Sequence, residues 1–277
     1  MHRLHRQFAF FLTLFALSAS AASQDKNPAI MAVNREAGLY FSSSYIAYAE
    51  YLPAWFNSEH GWDAGGGFKA SVPFETLRTE WLAEAKYEYN DGTTKHTMPN
   101  ASPVVSACVT NDMFVGVGPT FTPASRFSVT PEADVEYREW HRGLPGNTLD
   151  FIEHYTFWAP GVTVRAAYNP VGRVVLTARG GFAYTVFPAM AGSGDAIEEV
   201  PPHTFSLDQH DVWQAGLGMD YAMGRRVHAF GGVEYSRFGF GASAWTPEGP
   251  MFPGKQHQEP NSVTDLARVN LGIAWSY

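Results

Sequence analysis

The sequence predicts an all-β protein, a ten-stranded antiparallel transmembrane β-barrel, with eight strands as the alternative. Three observations carry this. The 26 Gly and 18 Pro of the 277 residues punctuate the chain too often for long helices, while 45% hydrophobic and 15% aromatic residues are too many for disorder. Segment after segment alternates apolar and polar residues with period two, the signature of a strand with two different faces. The connections between these segments are alternately short and long, as in barrels whose short turns lie on the periplasmic side. After residue 21 no stretch approaches the ~18 consecutive apolar residues of a spanning helix, so any membrane crossing must be made by strands.

The chain opens with Arg3 and Arg6, an apolar run from Phe8 to Leu17, and Ala19-Ser20-Ala21. This three-part pattern predicts a cleaved secretory signal peptide over residues 1–21, too short in its apolar core to span a membrane. No cysteine follows the cleavage site, so no lipid attachment is indicated. Residues 22–36 form a periplasmic N-terminal segment and 37–277 the barrel. The formal charge is -8, and about -10 once Arg3 and Arg6 are removed, which argues against a nucleic-acid partner. Cys108 is the only cysteine, so a disulfide framework and a cysteine-based zinc site are both excluded.

The first strand, 37–48, places Leu39, Phe41, Tyr45 and Ala47 on one face but Ile46 and Tyr48 on the other. The pattern then becomes regular. Trp62, Ala64, Gly66, Phe68 and Ala70 oppose Asp63, Gly65, Gly67 and Lys69; Trp81, Ala83, Ala85, Tyr87 and Tyr89 oppose Glu80, Glu84, Lys86 and Glu88. Met113, Val115, Val117 and Phe121 oppose Gly116, Gly118 and Thr120, and Phe127, Val129, Ala133, Val135 and Tyr137 oppose Glu132, Asp134, Glu136 and Arg138. Residues 154–168 change phase between Tyr155, Phe157, Ala159 and Val162, Val164, Ala166, Tyr168, and a bulge at Pro160-Gly161 is expected to restore the faces. Alternation returns at 174–186, 213–221, 227–235 and 267–277.

Short connections fall near 72–78, 122–126, 169–172 and 222–226, and long ones near 49–60, 91–111, 140–153, 188–210 and 239–264. This order gathers Trp81, Phe121, Phe127, Tyr168, Tyr221, Trp275 and Tyr277 at the short-turn end. Trp62, Tyr89, Tyr137, Tyr184, Trp213 and Tyr235 gather at the other, so two interfacial aromatic belts are expected.

The chain stops inside its last strand on Trp275-Ser276-Tyr277, which resembles the closing strand of Gram-negative outer-membrane β-barrels. Together with the signal peptide and the alternation, the whole mature chain resembles the porin-like and opacity-type small outer-membrane barrels. The resemblance implies the outer membrane as location, lipid and lipopolysaccharide as surroundings, and the barrel-insertion machinery as a partner in biogenesis. No cofactor is implied, and fold analogy alone does not select a function.

Inside such a barrel the sequence places Glu80, Glu84, Lys86, Glu88, Glu132, Asp134, Glu136, Arg138, Arg165, Arg179, Asp220, Glu234 and Arg268, with Lys69, Arg173 and His228 as further counter-charges. Buried charges persist when paired, so a salt-bridge network that plugs the lumen is expected, and an ion or solute path lined by the same groups is the alternative. The protein is read as non-enzymatic, porin-like or a surface-interaction protein. The alternatives are a narrow channel and an omptin-like protease. Omptins resemble this chain in strand number and carry an Asp-x-His pair near the extracellular rim, where Asp208-Gln209-His210 stands; the acidic pair they also need has only Glu88 and Asp91 as candidates. No metal site is expected, because His203 and His257 stand alone in long connections. Apolar residues of those connections, among them Trp55, Phe187, Met190, Trp245, Met251 and Phe252, either pack over the mouth or meet an extracellular ligand.

Overall fold

The structure, a computed structural model, describes residues 27–51, 56–97, 102–145, 150–194, 203–247 and 256–277. The signal peptide, Trp55, Met251 and Phe252 lie outside the described residues. A six-residue helix, α1 (Pro28–Val33), precedes the barrel. The barrel strands are β1 (Glu36–Tyr51), β2 (Phe56–Thr76), β3 (Thr79–Thr97), β4 (Val104–Pro119) and β5 (Phe127–Pro145). They continue as β6 (Asp150–Val171), β7 (Val174–Tyr184), β8 (Asp211–Ala222), β9 (Val227–Phe240) and β10 (Asn261–Ser276). Each pairs antiparallel with the next, and β10 pairs with β1 from Ser276↔Glu36 to Asn261↔Tyr51. This closes a ten-stranded cylinder and leaves no edge, the condition for strands to cross a bilayer with every backbone group satisfied.

The outer wall exposes Leu39, Phe41, Phe68, Val115, Val164, Leu217 and Leu271. Such a jacket suits lipid and would be an aggregation hazard in water. The predicted aromatics lie on this wall. Trp62, Tyr89, Tyr168, Tyr184, Trp213, Tyr221, Tyr235, Trp275 and Tyr277 are exposed, and Trp81, Phe121, Phe127 and Tyr137 are half-buried by neighbours. Rings pair across strands at both rims, Tyr45 with Trp62 (5.2 Å), Tyr137 with Trp158 (4.8 Å), Phe182 with Trp213 (4.8 Å) and Phe74 with Trp81 (6.3 Å).

Strand length separates the structure from the sequence-based expectation. A crossing needs ~9–11 tilted residues, yet β2 has 21 and β6 has 22. The stretches read as long connections near 49–60, 91–111 and 140–153 are largely strand among the described residues, and the barrel wall continues past the upper aromatic rim. In this extension the outside faces water and the inside is dry, so the apolar face turns inward. Ile46, Tyr48, Tyr155 and Phe157 are therefore all buried inside. The expected bulge at Pro160-Gly161 is absent, since β6 keeps an unbroken register with β5 from Tyr168↔Phe127 to Asp150↔Pro145. A register shift falls instead in the Val186–Gly194 segment that prolongs β7 against β6, where Phe187 adopts a φ of 52°.

At the short-turn end α1 folds back into the mouth. Asn27 caps it, its Oδ1 accepting from Ala29 N (3.0 Å) and Ile30 N (3.2 Å), and Pro28 starts the turn without wasting an amide. Ile30 and Val33 pack on Ala167 and Val175 of the inner wall. Ser71 and Ser276 donate to the Val33 and Ala32 carbonyls, closing the helix C-terminus.

Candidate functional site

The interior is built in layers. Nearest the short turns, Lys69 pairs with Glu36 at 2.5 Å and lies 3.6 Å over the Phe230 ring. Beside it, Asp220 Oδ1 is 2.7 Å from His228 Nδ1, and His228 Nε2 is 2.7 Å from Ser276 Oγ. Those separations match a hydrolytic triad, but Ser276 also donates to Ala32 and α1 lies over it, so the relay ties the closing strand to the cap. Sequence reading placed Asp220 and His228 inside but could not join them to Ser276, because the contact depends on the β9–β10 register.

In the next layer Glu84 is held between Arg165 (3.2 Å) and Arg179, and Arg179 also reaches Glu132 at 3.5 Å. Gly116 of β4 leaves the room that the Phe114 ring and the Glu132 carboxylate fill, and the Arg179 guanidinium lies 4.6 Å from the Phe114 ring centroid. Arg165 donates to Asn34 at 2.9 Å, coupling this layer to the cap. Above it, Arg268 bridges Glu88 and Asp112, Arg138 bridges Asp112 (2.8 Å) and Glu136, and Lys86 pairs with Glu234 at 2.6 Å. A cavity of about 210 Å³ remains among these side chains, smaller than the ~300 Å³ of the smallest usual ligand pockets.

Most of the predicted network therefore converges. Asp134 does not, since no cation lies within salt-bridge distance of it among the described residues, and Arg173 is exposed in the β6–β7 turn. Glu80 stands at the short-turn end of the same β3 face.

Two further layers close the half remote from the short turns, and sequence reading did not find them. Tyr48, Trp140, Tyr155, Phe157, Phe238 and Phe240 fill the bore with rings 5.1–5.6 Å apart. Beyond them Arg142, fully buried, contacts Glu59 (2.6 Å), Glu153 (2.7 Å) and Glu50 (3.3 Å), while Tyr155 donates to Glu259 at 2.6 Å. One guanidinium cannot neutralise four buried carboxylates. Burial raises the Glu59 carboxyl, but Arg142, with His96 and Thr94, outweighs it and holds the group at about 2. Burial and the neighbouring Glu153 and Glu50 push Glu259 up to about 8. Glu153 is also raised, by burial first, against Arg142. Surplus charge is thus removed by protonation rather than by a second cation. The available signal was alternation continuing through 139–155 with Trp140 and Arg142 in phase with Arg138.

The Asp208-x-His210 pair does not assemble. His210 Nδ1 pairs with Asp211 Oδ1 at 2.6 Å, and Asp208 is held through a backbone bridge to Gly241. Glu88 faces the lumen and Asp91 the outside, so the two acids do not converge. Cys108 is buried against Trp140 Nε1 (3.2 Å), and burial pushes its thiol up to about 12, which disqualifies it as a nucleophile.

A closed cylinder with an apolar outer wall and a filled bore has the architecture of a small transmembrane β-barrel. No protein-family model and no curated protein sequence matches the chain. Among solved structures it is similar to the outer membrane protease OmpT from Escherichia coli, with a TM-score of 0.62 and 8% identity over 93% of this chain and 100% of that one. It is also matched to the translocator domain of the autotransporter NalP from Neisseria meningitidis (TM-score 0.38, 10% identity, 100% and 97% covered). The third is Ail, the attachment invasion locus protein of Yersinia pestis (0.33, 7%, 88% and 99%). The first likeness shows a shared fold, and the other two are too distant to carry an argument.

Proposed function

We propose that this is a non-enzymatic outer-membrane barrel with a charge-plugged lumen that works at the cell surface through its extended upper wall and rim. In this reading residues 1–21 direct export, the terminal aromatic strand engages the insertion machinery, and lipid and lipopolysaccharide surround the apolar wall. The observation that carries it is the bore: two layers of bridged Arg, Lys and carboxylate side chains, an aromatic plug and the Arg142 cluster stand in series above a helical cap. A path for solute would have to break several of these, each leaving a buried charge unpaired. The rim retains exposed Phe187 and Trp245, apolar groups suited to an extracellular ligand. Purified, folded protein in planar bilayers should give no steady unit conductance, and reproducible steps would replace this reading with the narrow channel.

The likeness in fold to OmpT favours one second reading, a surface protease using His210. The pairing of His210 with Asp211, away from Asp208, speaks against it. Peptide cleavage that co-purifies with the barrel and disappears in His210→Ala would establish the protease; cleavage unaffected by that change would come from a contaminant.

A further inference from the structure

Antiparallel pairing brings His154 of β6 beside Glu139 and His141 of β5 on the outer wall above the upper aromatic rim. His141 of β5 and His154 of β6 are direct cross-strand partners. Their rings stack 4.0 Å apart at an interplanar angle of 11°. Glu139, two residues earlier on the same face, puts Oε1 2.6 Å from His154 Nε2 and 3.4 Å from His141 Nε2. All three potential donor atoms lie within 4.8 Å of one another. We propose that Glu139, His141 and His154 form a surface binding site for a divalent transition-metal ion of the zinc class.

The donor set carries the inference. Two imidazoles and one carboxylate suit Zn²⁺, Co²⁺, Ni²⁺ or Cu²⁺ and not the oxygen-seeking Ca²⁺ or Mg²⁺. Ligands at ~2.0–2.2 Å in a tetrahedron stand about 3.3 Å apart, and the two nitrogen-to-carboxylate separations bracket that value, so small side-chain rotations bring the donors into place. The backbone needs no movement, because a strand pair already fixes both histidines. Three protein ligands leave a fourth position open to water or another donor. An outer shell is also present: Asn111 Nδ2 donates to Glu139 Oε2 at 3.4 Å, and Tyr87 OH donates to Asn111 Oδ1 at 3.0 Å, a row across three strands that orients the carboxylate. The location permits access. The Tyr137–Trp158 pair marks the rim, and His141 lies four residues beyond it, roughly 13 Å along the strand and outside the hydrocarbon.

A second group of potential ligands, Glu36, Asp220 and His228, with one imidazole and two carboxylates, is buried beneath α1 with Lys69 already on Glu36, which makes it the natural control. Titration of the full-length folded barrel in detergent with Zn²⁺ alone, followed by calorimetry, and with Co²⁺ alone, followed by its visible absorption, tests the site. One ion per chain is expected, with imidazole-type Co²⁺ bands. Affinity should fall at least about tenfold in His141→Ala and in His154→Ala, and measurably in Glu139→Gln, while His228→Ala binds as wild type. These ligands are on the wall and partly exposed, so the variants should keep the barrel's circular dichroism; if His141→Ala fails to fold, His154→Ala and Glu139→Gln decide alone. Absence of stoichiometric binding, or binding that depends on His228 and survives loss of His141 and His154, overturns the proposal.

Discussion

Arg142 shows at the scale of one residue how the dry half of the barrel is held. Its guanidinium contacts Glu50, Glu59 and Glu153 with no exposed surface of its own. Arg142→Ala leaves these carboxylates without their guanidinium and should destabilise the upper extension of the wall by about 3–5 kcal/mol. Faster amide exchange over residues 139–156, with the strand content of the whole barrel intact, is the expected readout. The same cluster sets a pH dependence. Glu259 keeps its proton in the folded chain up to about 8, against an ordinary value of 4.5, so the folded state binds more protons than the unfolded one across that window. Stability of the extension therefore falls as pH rises through it. Glu59, held at about 2, acts in the opposite sense: its contribution is present above 4.5 and is lost as pH falls toward 2. Exchange rates measured from pH 6 to pH 9 should climb beyond the intrinsic chemical trend in wild type and much less in Glu259→Gln. Equal slopes in the two proteins would remove Glu259 from the account.

Elements of this barrel are set by close approach as much as by alternation. Gly118 of β4 faces inward where β5 crosses it, and a Cβ there would lie 1.8 Å from the Pro131 carbonyl oxygen. Backbone cannot yield as a side-chain tip can, so Gly118→Ala should sharply lower the yield of folded barrel. Gly172, in the β6–β7 turn with nothing within 4 Å of its virtual Cβ, should tolerate alanine with no loss. Refolding of both variants into detergent micelles, scored by strand circular dichroism, separates them. The elements also explain where sequence reading succeeded. Between the two rims the strands followed one rule, most apolar residues outward with Tyr40, Phe114 and Phe230 as inward exceptions, and were legible. Above the upper rim Ile46 and Tyr48 broke that rule and made β1 look irregular, and Tyr155 and Phe157 suggested a bulge in β6, because the solvent on the outside had changed from lipid to water.

The whole molecule presents a continuous apolar jacket and a filled interior, the inverse of a soluble protein over its middle and an ordinary one above. Removal of detergent without added lipid should precipitate the folded chain. A monodisperse species in plain buffer would contradict the membrane assignment of Leu39, Phe41, Leu217 and Leu271. The filled interior also accounts for the surplus of acid. Positive charge is concentrated on a few arginines, Arg138, Arg165, Arg179 and Arg268, each bridging two partners at different heights. The planar, always-charged guanidinium suits that duty.

The sequence by itself determined the class, the outward-facing apolar residues and most members of the lumen network, and left ten strands with eight as the alternative. Those follow from local alternation and from turn chemistry, which neighbouring residues encode. Tertiary structure alone decided how far the wall rises above the membrane, where its faces exchange roles, and which distant side chains meet. Ser276 with His228, Arg142 with Glu59 and His141 with His154 are joined by strand register and barrel closure. Register is a property of pairs of strands, set by the turn lengths and packing of the closed cylinder, and no single stretch of chain contains it.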